Sequence, residues 1–182
     1  GYPMVRRARE LVLNGPLGTL RLVHGTYLQD WLADANDYNW RLDSVSGGMS
    51  RAFADIGTHW FDTVEFVAGA RVSAVMADLA TLVPVRYRPL RSGAAFSAGS
   101  GATEAVQVET EDAAMVLLRF ADGARGTVVV SQVSPGHKND LTVHLSGSER
   151  SLGWAQERPE RLWLGARDDA TVMTRAPSAD GS

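Results

Sequence analysis

Asp55, His59 and Asp62 stand at positions i, i+4 and i+7 of the run DIGTHWFD, residues 55–62. Residues so spaced share one face of a helix. A carboxylate one turn from an imidazole can hold a single tautomer and raise its basicity, as proton transfer near neutral pH requires. Phe53, Ile56, Trp60, Val64 and Val67 form an apolar stripe on another face of the same helix. Gly57 interrupts it at a cost of about 1 kcal/mol relative to Ala, which implies a close approach to the backbone there. The pattern is that of an acid/base site. The same three side chains also suit several divalent ions, but no fourth ligand stands out. Metal binding is therefore the lesser reading, and with it a metal-dependent isomerase or hydrolase. On pattern alone, His59 is equally well a core histidine bonded to Asp55 or Asp62.

The helix must be held by what surrounds it. Pro3 begins a first helix that stops at Asn14-Gly15-Pro16. TLRLVHGTYLQDWL (19–32) reads as a strand. Residues 33–48 have no periodicity and read as a loop beside the helix that ends near Ala68-Gly69. A second strand over 71–84 closes on Pro84. Residues 86–111, rich in Gly, Ala and Ser, are expected to form a long flexible loop. AAMVLLRF (113–120), Asp122-Gly123 and ARGTVVVSQV (124–133) give a hairpin pattern. Four short strand patterns follow, over 140–147, 151–156, 161–165 and 171–175. The expected fold is one α+β domain, with helices packed on a mostly antiparallel sheet of about seven or eight strands.

Composition narrows the partners. The 182 residues carry a net charge of −3, with 45% hydrophobic and 21% charged residues, which suits one globular domain. No basic run points to nucleic acid. No apolar run approaches the roughly 18 residues of a membrane span. The absence of cysteine fits a reducing compartment, and the cytoplasm is the expected location. Lys138 is the single lysine among 18 basic residues. Gly1-Tyr2-Pro3 runs straight into a helix and APSADGS (176–182) is a polar tail, so both ends read as cut.

Several ordered landmarks resemble the C-terminal domain of the Gfo/Idh/MocA oxidoreductases, the glucose–fructose oxidoreductase and inositol dehydrogenase family. They are Pro16-Leu17-Gly18, Asn39-Trp40-Arg41, Gly47-Gly48, DIGTHWFD (55–62), TEDAAMVLLRFADGARGTVVVSQ (110–132) and LSGSERSLGW (145–154). The resemblance implies an NAD(P)-dependent oxidoreductase acting on a sugar, polyol or related hydroxyl compound, with the cofactor held mainly by a preceding Rossmann domain. It places Asp55 and His59 at the family's catalytic positions. Trp40 and Arg41 would lie beside the nicotinamide, while Asp62, Tyr27 and Gln29 would face substrate. It also implies a homo-oligomer built through the open face of the sheet. Two family features lie outside this sequence: a G-x-G-x-x-G after a strand, and a Glu-Lys-Pro motif bearing the partner lysine. The resemblance therefore implies the substrate half of a longer enzyme, and the competing reading is a stand-alone ligand-binding or dimerisation module.

Each site residue has a plainer alternative. Arg41 could pair with Asp43 and Trp40 pack on the sheet. Of Tyr27, Gln29 and Asp30, two are expected to be ordinary sheet residues. His137 is expected to be solvated in its turn, and His24 and His144 are given no role. Glu109, Glu111 and Asp112 are expected to solvate a loop edge.

Overall fold

The computed structural model describes residues 2–90 and 102–175. Helix α1 spans Pro3–Leu13 and buries Met4, Val5, Ala8 and Leu11. It has proline in its first turn and ends at Asn14, as the sequence predicts. Strand β1 (Leu20–Leu28) follows. The connection expected to be irregular holds two short helical turns, a 3-10 turn at Trp40–Leu42 and α2 at Ser44–Gly47. A π-helical turn, Phe53–Gly57, then leads into α3, Thr58–Ala68. Gly69 ends α3 with φ 66°, the left-handed conformation that a residue without Cβ adopts most cheaply.

The remaining strands are β2 (Val72–Ala80), β3 (Val85–Pro89), β4 (Thr103–Gln107), β5 (Ala113–Phe120), β6 (Arg125–Ser131), β7 (Asp140–Gly147), β8 (Ser151–Ala155), β9 (Arg161–Gly165) and β10 (Ala170–Thr174). Eight of them form one sheet in the order β10-β9-β8-β7-β1-β6-β5-β2. The meander expected over the last strands is present as β7 to β10. Strand β1 lies in mid-sheet, parallel to β6 and antiparallel to β7. The sheet is thus mostly antiparallel, with helices on one face.

One expectation fails. The loop predicted over 86–111 contains most of a separate two-stranded ladder, β3 with β4. Val85-Arg86-Tyr87-Arg88 alternates as a strand should, and Arg88 meets its cross-strand partner Glu104 at 2.7 Å. The Gly/Ala/Ser composition that suggested a loop comes mainly from residues 91–101. These lie outside the described residues, as does the tail 176–182.

The core lies between the sheet and α1 and α3. Val116, Leu118 and Phe120 of β5 point into it, while Met115, Leu117 and Arg119 point away. Ile56, Trp60, Val64 and Val67 bury the stripe expected of the site helix, and Phe53 packs partly buried against the same cluster. Trp60 docks through its indole N–H, which donates to Thr142 O at 2.9 Å. Gly25 makes room for this: a Cβ there would lie 2.0 Å from Thr142 O and 2.7 Å from the Trp60 ring nitrogen.

Among the described residues, nothing packs over the opposite face of the sheet. One pleat row runs across it through Val172, Trp163, Gly153, His144, His24, Thr127, Leu117 and Met76. At its centre the His24 and His144 rings stack, with centroids 4.9 Å apart. Burial, together with the neighbouring His24, depresses the His144 pKa. Among the described residues, no helix is long and apolar enough to cross a membrane.

Candidate functional site

The start of the site helix is fixed by side chains from the opposite half of the chain. The Glu111 carboxylate accepts from the backbone N–H groups of Arg51 and Phe53, at 2.9 Å each, and from the Ser50 hydroxyl. A carboxylate at this end satisfies donors that have no partner within the helix and complements its dipole. Asp112, fully buried, accepts from two buried guanidinium groups, those of Arg51 and Arg86, and from the N–H groups of Leu82 and Val83. Burial opposes ionisation of Asp112, but Arg51, the Val83 N–H and Arg86 outweigh it and hold the carboxyl below its usual range. Glu111 and Asp112 therefore do not solvate a loop edge as expected. They are buried anchors, because a charge removed from water must be paired.

The helix then passes through a π turn, in which Thr58 N–H reaches back to Phe53 O. Such turns often occur at functional positions. The close approach that Gly57 implied comes from within the turn: a Cβ on Gly57 would lie 2.7 Å from the Phe53 ring.

Asp55 sits in this turn, about one-third exposed. Its Oδ2 accepts from Gln132 Nε2 at 2.8 Å, and its Oδ1 lies 3.4 Å from Arg41 Nε. Arg41 thus pairs with Asp55 and not with Asp43, which instead caps α2 by accepting from Val45 N–H. The Arg41 guanidinium also lies 4.7 Å over the Trp40 ring, and Trp40 is itself exposed. Trp40, Arg41, Ser50, Arg51 and Asp55 line a hollow of about 250 Å³.

His59 and Asp62 lie further along α3, both exposed, on a larger depression of about 570 Å³. Tyr27, Thr63, Leu141 and Gln156 complete this part of its wall. Tyr27 is buried and donates to Asn139 Oδ1 at 2.6 Å, and Gln29 Nε2 donates to the same oxygen. Gln29 in turn accepts from the Trp31 indole. Burial raises the Tyr27 pKa; a hydrogen bond from Gln156 opposes this, and the charge of Asp55 adds to it. Asp55 therefore lies close enough to the larger depression to be felt electrostatically within it.

Tyr27, His59 and Asp62 are thus brought together on one wall. Asp55, Arg41 and Trp40 gather in the smaller hollow, and Gln29 is not on the wall of the depression but shares Asn139 Oδ1 with Tyr27. Lys138 pairs with Asp30 at 2.6 Å, and His137 Nδ1 lies 2.8 Å from Asp140 instead of being free in its turn. Among the described residues, no group of three or more His, Asp or Glu side chains converges as a metal site would require.

Sequence reasoning missed Gln132, Arg51, Glu111 and Asp112 as the support of Asp55. The one available signal was the position of Glu111-Asp112 against a strand, Ala113–Phe120, that alternates into the core. Acids at the end of such a strand have little water to face.

Residues 5–153 match the model of the GFO/IDH/MocA C-terminal domain. The chain belongs to this family. A levoglucosan dehydrogenase from Pseudarthrobacter phenanthrenivorans is 36% identical to this GFO/IDH/MocA domain over 171 residues, covering 92% of the chain and 43% of the relative. An oxidoreductase domain protein from Kribbella flavida superposes with a TM-score of 0.82 at 35% identity, over 95% of this chain and 45% of its own. A levoglucosan dehydrogenase in complex with NADH and L-sorbose superposes with a TM-score of 0.79 at 32% identity, over 93% of this chain and 43% of its own. The domain thus spans about two-fifths of the length of the curated relatives it matches.

Proposed function

We propose that this domain is the substrate half of an NAD(P)-dependent oxidoreductase acting on a sugar, polyol or related hydroxyl compound. The observation that carries the reading is the juxtaposition of two sites. His59 lines the depression it shares with Asp62 and Tyr27, and four residues before it on the same helical segment Asp55 lines the hollow in which Arg41 and Gln132 hold it. A related dehydrogenase of similar fold binds NADH and L-sorbose, which supports the same ligand classes here.

Oxidation of a secondary alcohol removes a proton from oxygen and a hydride from carbon. His59 is exposed in the depression and takes the hydroxyl proton as general base. Asp55 orients the substrate hydroxyl and complements the charge that forms on His59. Asp62 and Tyr27 present hydrogen-bonding groups matched to a polyhydroxy compound, and Gln29 holds Asn139, the acceptor of the Tyr27 hydroxyl. Trp40 and Arg41, which line the smaller hollow, would hold the nicotinamide end of the cofactor. The cofactor, when bound, supplies the hydride acceptor. The greater part of its binding surface lies outside this domain. A second copy packs on the bare sheet face, where Leu117, Met76 and Val172 are more than half exposed. The absence of cysteine supports a cytoplasmic location.

The test is turnover by the full-length protein with levoglucosan and NAD⁺. His59→Ala and Asp55→Asn are each expected to lower kcat by at least ~10²-fold, the usual scale of acid/base catalysis. Near-wild-type turnover in both variants would remove these roles.

A further inference from the structure

We infer that Gln132 is a positioning residue that presents Asp55 to the reaction site, and that it is itself oriented by a buried charge relay. The inference rests on the reading that Asp55 belongs to that site.

Gln132 follows β6 and is fully buried. Its backbone is pinned on both sides: its N–H donates to Asp112 O, and its carbonyl accepts from Leu32 N–H. Its amide is then oriented by chemistry. Oε1 lies 3.3 Å from Arg51 Nη1, and Nε2 lies 2.8 Å from Asp55 Oδ2. A guanidinium only donates, so the amide oxygen must face Arg51 and the NH₂ must face Asp55. The NH₂ likewise only donates, so Asp55 Oδ2 meets it as an acceptor.

Arg51 is held in turn by Asp112 and by the Thr110 hydroxyl. Asp112 and Arg51 alternate in charge, and the Gln132 dipole continues the alternation to Asp55. Every member behind Asp55 is buried. The relay is therefore rigid, and it fixes one oxygen of a carboxylate that, among the described residues, is otherwise paired only with the partly exposed Arg41. Arg41 lies at 3.4 Å, its side chain more than one-third exposed, and holds the carboxylate less firmly than the buried amide at 2.8 Å.

Two variants of the full-length protein separate positioning from packing. Gln132→Met keeps the length and removes both hydrogen bonds. Gln132→Glu keeps an acceptor for Arg51 but donates to Asp55 only when the pair shares a proton, as adjacent carboxylates do. With levoglucosan and NAD⁺, Gln132→Met is expected to lower kcat by at least ~10-fold at all pH values, with KM changed less, since small misplacements of reacting groups are costly. For Gln132→Glu, the ratio of kcat to that of the wild type is expected to rise as pH falls, a rescue that a space-filling role would not produce. Crystal structures of the two variants supply a readout independent of activity, and Gln132→Glu serves alone if Gln132→Met does not fold. Asp55 is expected to have left its present rotamer in the Gln132→Met structure, and in the Gln132→Glu structure at a pH above the rescue. An unmoved Asp55 with kcat within 2-fold of wild type would overturn the inference. If the wild type turns over no sugar or polyol with NAD⁺ or NADP⁺, the proposed function fails, and the crystal structures alone decide: a displaced Asp55 upholds the positioning role and an unmoved one overturns it.

Discussion

Asp55 and His59, four residues apart on one helical segment, answer to different neighbours. Asp55 lies in a π turn, bonded to buried Gln132 and paired with Arg41. His59 opens onto the depression that contains Tyr27 and Asp62. The carboxylate is held by the sheet and the loop before the helix, while the imidazole is free to meet a ligand. That division suits the proposed roles, His59 as a base that gives and takes a proton and Asp55 as a carboxylate held in place.

Asp112 is the anchor on which this arrangement depends. Asp112→Ala leaves two buried guanidinium groups, Arg51 and Arg86, without their counterion. A loss of about 3–5 kcal/mol of stability is expected in chemical denaturation. The carboxyl is held below its ordinary value of 3.8, so its contribution is present above that pH and is lost as pH falls through the lower folded value. Asp112→Asn is expected to flatten this acid limb. An unchanged limb would show that the acid sensitivity lies elsewhere.

Gly25 allows Trp60 of α3 to reach the carbonyl of Thr142 on β7. Gly25→Ala forces its methyl group against that backbone oxygen, which belongs to a central strand and cannot withdraw. Overpacking of this kind costs typically about 1–3 kcal/mol. The expected result is a lower melting temperature with loss of near-ultraviolet tryptophan ellipticity. A variant as stable as the wild type would show that β1 and β7 can separate at no cost.

Leu117 stands in the bare pleat row and is 52% exposed. If a second copy covers this face, Leu117→Glu buries a charge without a partner and should dissociate the assembly. Sedimentation of the full-length protein is expected to show a reduced mass, with the unfolding of the domain little affected because the residue lies outside the core. The same mass for both proteins would place the interface elsewhere.

The sequence by itself determined the elements and the inward faces. Alternation in AAMVLLRF and the spacing of Ile56, Trp60, Val64 and Val67 specify what turns toward the core, because these periods are local properties of strand and helix. Pro3, Asn14-Gly15 and Gly69 likewise mark their own helix ends. Only the tertiary structure decided the supports of Asp55. Gln132 is 77 residues away in the chain, and Arg51 meets Asp112 across 61. Nothing in the run DIGTHWFD indicates which amide will reach it. Nor does the run Glu111-Asp112 reveal that both acids are buried, since a charged pair reads as solvated until its counterions are placed. Period and capping are written in neighbouring residues. Pairing of buried charge depends on which strands lie side by side, and the insertion of β1 between β6 and β7 settles that only when the whole sheet forms.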